Sequence, residues 1–120
     1  MKSIGRLFLF GGLISIAILI SGCTALSQSQ QPDVTVQVSQ SIDTMTFTPN
    51  HAKVGQHIRF HVATTDVSHQ FEAKGTPFND QDIVPGTPRD FDWTPDKAGT
   101  FHFADDTPGS KESADFTVDP

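Results

Sequence analysis

Cysteine is nearly missing from this 120-residue sequence, and the one present, Cys23, lies close to the start. The rest of the chain therefore has no disulfide framework, no zinc–thiolate site and no cysteine nucleophile. Positive charge is also scarce, with 8 Lys and Arg against 14 Asp and Glu. Lys2 and Arg6 precede Cys23 and every acid follows it, so residues 23–120 carry 6 − 14 = −8. Nucleic acid and anionic lipid headgroups are poor partners for such a surface. No nucleophile elbow, phosphate loop or HExxH motif occurs, and the chain is not read as an enzyme. Helical periodicity is absent after Cys23, and so are internal repeats.

What the start contains is a leader. Lys2 and Arg6 are followed by an apolar run from Leu7 to Ile20 and then by Ile20-Ser21-Gly22-Cys23. A basic start, an apolar segment and small residues mark a secretory signal. The last four residues resemble a lipobox, which implies cleavage before Cys23 and attachment of a lipid to it. An uncleaved membrane anchor is the alternative, since the run approaches the ~20 residues that span a bilayer. Either way the remainder lies outside the cytoplasm, in a bacterial envelope, on its periplasmic or extracellular side. The division expected is a lipoprotein signal peptide over residues 1–22, a lipidated Cys23 with a polar tether over 23–32, and one domain over 33–120.

Within that domain apolar residues alternate with polar ones: Val34, Val36 and Val38; Met45 and Phe47; Ile58, Phe60 and Val62; Val67, His69 and Phe71; Phe91 and Trp93; Phe101 and Phe103; Phe116 and Val118. Period two is the mark of half-buried strands. Turn residues separate them, as in Thr48-Pro49-Asn50, Gly75-Thr76-Pro77, Pro85-Gly86, Thr94-Pro95-Asp96 and Pro108-Gly109. About seven strands so spaced predict an all-β, two-sheet antiparallel Greek-key sandwich.

Five histidines are the most chemically suggestive residues. His57 and His61 share the face opposite Ile58, Phe60 and Val62, and at ~3.3 Å per residue they stand about 13 Å apart, too far to share an ion. They are expected to face solvent, as is His102 between Phe101 and Phe103, while His51 falls in a turn. His69 differs, because it has the parity of the inward residues. Asp105 continues the parity of Phe101 and Phe103, so it too points inward where its strand ends, with Asp106 turned away. An inward carboxylate needs a donor. The pairs Asp80/Asp82 and Asp90/Asp92 raise calcium, but the glycine and distal glutamate of an EF-hand are absent.

Asp66-Val67-Ser68-His69-Gln70-Phe71 and Thr94-Pro95-Asp96-Lys97-Ala98-Gly99-Thr100-Phe101, with Phe47-Thr48-Pro49-Asn50 and Pro85-Gly86 between matching strands, resemble a cupredoxin. The likeness, over about residues 42–118, is to short bacterial envelope domains and to the copper domain of cytochrome oxidase subunit II. The resemblance implies that His69 stands at a copper-ligand position. It places the ligand cysteine at Asp105 and a second ligand histidine at Ser110, and no methionine follows.

A blue copper centre needs a thiolate beside its imidazoles, so a blue-copper electron carrier is excluded. The expected function is a membrane-anchored binding or accessory module held by lipid at Cys23, with an envelope protein as partner. The alternative is a copper or other metal-ion protein using His69 with Asp105, with Asp106 and His102 as auxiliary ligands and Cu(II) or Zn(II) as the ion. A further alternative is an immunoglobulin-like adhesion or assembly module, which finding His69 and Asp105 at opposite ends would favour.

Overall fold

Alternation builds nine strands in the computed structural model, which describes residues 31–120; Cys23, the leader and the tether as far as residue 30 lie outside the described residues. The strands are β1 (Val34–Gln40), β2 (Met45–Thr48), β3 (His51–Lys53), β4 (Ile58–Thr64), β5 (His69–Ala73), β6 (Gln81–Ile83), β7 (Arg89–Trp93), β8 (Gly99–Ala104) and β9 (Ser113–Asp119). Two sheets result, ordered β2-β1-β4-β7 and β3-β9-β8-β5-β6.

Three points differ from expectation. The strands beyond seven are β3 and β6, three residues each. Only Ala52 and Ile83 of these face the core, and a single inward residue has no period to read. The sheets are also mixed rather than purely antiparallel, with β1 parallel to β4 and β3 parallel to β9. The cause is the Pro49-Asn50 corner. It carries the chain from β2 in one sheet to β3 in the other, so β4 returns beside β1 in the same direction. His51, expected in a turn, opens β3.

Between the sheets lies an aromatic core. Phe60 packs edge-on to Phe116 at 5.1 Å between ring centres and to Phe47 at 6.1 Å, while Phe71 stacks on Phe103 at 4.9 Å. Phe78 joins them from the loop after β5, 5.6 Å from Phe60. Each such ring removed from water stabilises the fold by about 1.5–3 kcal/mol, with a further ~0.5–1.5 kcal/mol from favourable ring geometry.

At one end of the sandwich the inward pattern turns polar. β1 ends on Gln40, β5 begins with His69, Asp105 follows β8 and Glu112 precedes β9, and all four are buried. The core's alternation runs into them, so the backbone that orders the aromatic rings also aims these side chains at one another.

Candidate functional site

His69 sits at the centre of this polar end, its side chain wholly buried. Nδ1 lies 2.6 Å from Asp105 Oδ2, and Nε2 lies 2.6 Å from Asp66 Oδ1. Glu112 Oε1 stands 3.5 Å from Nδ1 on the buried side. Separation of His69 and Asp105 would have favoured the immunoglobulin-like alternative, and they are in contact.

Each carboxylate is anchored by backbone amides. Asp105 Oδ1 accepts from Gln70 N at 3.0 Å and Thr107 N at 2.9 Å. Asp66 accepts from Ile42 N at 2.7 Å and Val67 N at 2.6 Å. Glu112 Oε2 accepts from Ser41 N at 3.1 Å, and Gln40 Nε2 donates to Glu112 Oε1 at 2.9 Å and to the Gln70 carbonyl at 3.0 Å. Gln40 Oε1 is buried and has no hydrogen-bond partner.

Burial alone would favour a neutral His69, but the hydrogen bonds to Asp105 and Asp66 and the charge of Glu112 outweigh it and raise its pKa. When protonated, the ring donates from both nitrogens. Burial would raise Asp105 too, yet hydrogen bonds from Thr107, His69 and Gln70 hold it well below the usual carboxylate range. Asp66, bonded to His69 and to the Ile42 and Val67 amides, is lowered to about 2. Glu112 moves the other way. Burial first, then the charge of Asp105, raise it to about 7, with His69 opposing.

The other sequence candidates are elsewhere. His102 is exposed on the outer face of β8 and pairs with Asp115 at 2.8 Å. Asp106 is exposed and, with Glu72, Lys74, Asn79, Thr100 and His102, lines an open groove of about 740 Å³ on that outer face. The structure therefore brings neither of these auxiliary candidates to His69. Ser110, at the second ligand-histidine position, lies in the loop before β9, where its hydroxyl oxygen accepts from the Glu112 amide at 3.4 Å. His51 pairs with Asp119 at 2.9 Å and His61 with Asp90 at 2.6 Å. His57, expected in solvent, is half-buried, held where its amide donates to Asp33 at 2.8 Å. Asp92 takes a two-point contact from Arg59 at 2.8 and 3.1 Å. The acidic pairs do not gather into a calcium site: among the described residues the one group of three metal-competent side chains is His69, Asp105 and Glu112, with donor atoms within 4.8 Å of one another.

Sequence reasoning missed Glu112 and Gln40. Parity could have found both, since Glu112 continues Ala114, Phe116 and Val118, and Gln40 continues Val34, Val36 and Val38. Val67, expected inward with His69, is about half exposed. The bend Thr65-Asp66-Val67 precedes β5, and there the chain turns to bring Asp66 back onto the ring.

No protein-family model matches the chain, and no curated protein matches it either. Solved structures do. The chain is similar to a heme-copper terminal oxidase chain (18% identity, TM-score 0.62, covering 71% of this chain and 63% of that one). It thus spans less than two thirds of that neighbour's length. It is also similar to the periplasmic domain of subunit II of cytochrome oxidase from Bradyrhizobium japonicum (15% identity, TM-score 0.59, covering 76% and 87%) and to auracyanin B (15% identity, TM-score 0.60, covering 78% and 94%). At these identities the likeness establishes the fold, and the fold is cupredoxin-like.

Proposed function

We propose that this cupredoxin-like chain is a bacterial envelope lipoprotein, anchored through lipid at Cys23, whose domain works outside the cytoplasm as a binding or accessory module and not as a blue-copper electron carrier. One observation carries the reading. The position at which the resemblance puts a ligand thiolate is Asp105, held 2.6 Å from His69. A carboxylate is a hard donor and lacks the sulfur covalency on which a blue copper centre depends. Copper of that type does not fit these residues, because the sole cysteine, Cys23, belongs to the leader junction. No chemical step is assigned to the domain, so catalysis is not part of the reading. The periplasmic placement of the oxidase domain it resembles supports an extracytoplasmic location, as does the leader.

The test has two arms. Cu(II) added to the purified protein leaves it without the intense blue of a copper–thiolate bond; a strong blue colour overturns the proposal. Cys23→Ser moves the protein from the membrane fraction to the soluble fraction and abolishes acyl labelling. Unchanged membrane attachment and labelling in that variant overturn the anchor.

A further inference from the structure

We infer that His69 Nδ1, Asp105 and Glu112 form a buried site for one divalent borderline cation of the Zn(II) class, with Asp66 orienting the imidazole from behind; this rests on the non-redox reading above and gives its module a ligand. The donor set carries the argument. One imidazole nitrogen and two carboxylates, all three side chains buried, offer donor atoms within 4.8 Å of one another. Zinc bonds to nitrogen and oxygen are about 2.0–2.2 Å, which sets neighbouring donors of a tetrahedral site roughly 3.4 Å apart. Nδ1 to Glu112 Oε1 is already 3.5 Å. Nδ1 to Asp105 Oδ2 is 2.6 Å, so the ion enters by displacing the Nδ1 proton and opening that contact by less than about 1 Å.

Three further features favour an ion over a purely structural cluster. The imidazole of a metal-bound histidine usually gives its second N–H to a carboxylate, which fixes the tautomer. Asp66 takes that place at 2.6 Å from Nε2. Gln40 is wholly buried, yet its Oε1 has no partner, although its Nε2 lies 2.9 Å from Glu112 Oε1. A buried amide oxygen left without a donor is costly, and turning the amide over would bring it to the place Nε2 now holds against Glu112 Oε1, as the candidate fourth ligand. Charge is the third. Asp66, Asp105 and Glu112 surround a single imidazole, and among the described residues no Lys or Arg forms an ion pair with any of them. A second positive centre is missing from the buried end. The soft ions are disfavoured by the absence of sulfur, and Mg(II) by the imidazole.

The full chain, purified in detergent and stripped with a chelator, is titrated calorimetrically with Zn(II). One ion per chain is expected. Asp66→Asn, at the rim of the site, weakens binding about tenfold or more through the lost orientation of His69. Glu112→Gln weakens it further. His102→Ala, on the outer face, leaves it unchanged. Cu(II) substituted into the wild type shows spin-resonance coupling to a single nitrogen. No binding by the wild type overturns the inference, as does unaltered affinity in folded Asp66→Asn or loss of binding in His102→Ala. Should Glu112→Gln fail to fold, the Asp66→Asn titration and the nitrogen count still decide. Absence of zinc binding leaves the non-electron-carrier reading standing, whereas a blue copper adduct removes both.

Discussion

Raising the pH of the metal-free protein from about 4.5 to about 8 should destabilise it, against the common pattern in which carboxylate-rich domains gain stability on leaving acid. Glu112 is responsible. Its pKa rises from 4.5 to about 7 on folding, chiefly through burial. Between those values the folded state holds a proton that the unfolded state has released, so stability falls as pH rises through this window and levels off above it. At ~1.4 kcal/mol per pH unit the loss comes to about 3 kcal/mol, a large part of the ~5–15 kcal/mol typical of a domain. His69 acts in the same direction. Its raised pKa extends the decline above its ordinary value of 6.5, since stability is lost as pH rises through the folded value. Asp66 and Asp105 impose the opposite limit. Both are lowered from 3.8, so their contribution disappears as pH falls from there towards their folded values. The optimum should therefore lie near pH ~4–5. Urea denaturation of chelator-treated protein, stepped from pH ~3 to ~9, reads this directly as a shift in midpoint at constant m-value. Glu112→Gln, which mimics the protonated acid, should flatten the slope between about pH 5 and 7 and exceed the wild type at about pH 8 by roughly 2–3 kcal/mol. A wild-type midpoint that rises from about pH 5 to 8, or a glutamine variant less stable than the wild type at about pH 8, would refute the assignment of a buried, proton-holding Glu112.

The remaining predictions concern packing and the clamp on His69. Phe60→Ala removes the ring that meets Phe47, Phe78 and Phe116 and should cost about 3–5 kcal/mol by chemical denaturation; a loss below about 1 kcal/mol would show that the core can close over the gap. Asp105→Ala leaves the Nδ1–H of His69 and the amides of Gln70 and Thr107 without their acceptor, for an expected loss of about 3–5 kcal/mol. Asp66→Ala, whose carboxylate is a third exposed, should cost distinctly less because water can replace it, and equal losses at the two positions would contradict the buried-versus-rim distinction.

Alternation made most of this architecture legible, and its failures have physical causes. Seven strands announce themselves because each repeats an inward apolar residue. β3 and β6 contribute only Ala52 and Ile83 to the core, and β3 is placed by a partner distant in sequence, β9, while β6 is placed by the strand just before it, β5. Direction of pairing was equally hidden, since a parallel and an antiparallel neighbour bury the same face. In the site, His69 and Asp105 were readable as polar residues at apolar parity. Glu112 and Gln40 obeyed the same rule, but each stands at a strand end, where a polar residue is ordinarily read as part of the rim. Asp66 obeyed no rule of alternation. Its contact with His69 arises in the bend before β5, where three residues suffice to fold the carboxylate back, and local loop geometry of that kind leaves no periodic trace.

A polar end of this sort is not required for folding. Replacing a buried ion cluster by apolar side chains of similar volume is often neutral or stabilising, and the aromatic core already joins the two sheets through Phe60, Phe71, Phe103 and Phe116. A cluster serving only to fasten the Asp105–Glu112 loop to β5 needs no more acid than base. This one holds three carboxylates around one imidazole, and one of them, Glu112, stays protonated up to about pH 7. The surplus acid lies on the buried side, at Glu112, which burial keeps protonated, while the rim carboxylate of Asp66 is spent on the far nitrogen of the ring. An arrangement that points a surplus acid inward, beside an amide oxygen with no donor, is better matched to a small cation that can replace the proton than to its own closure.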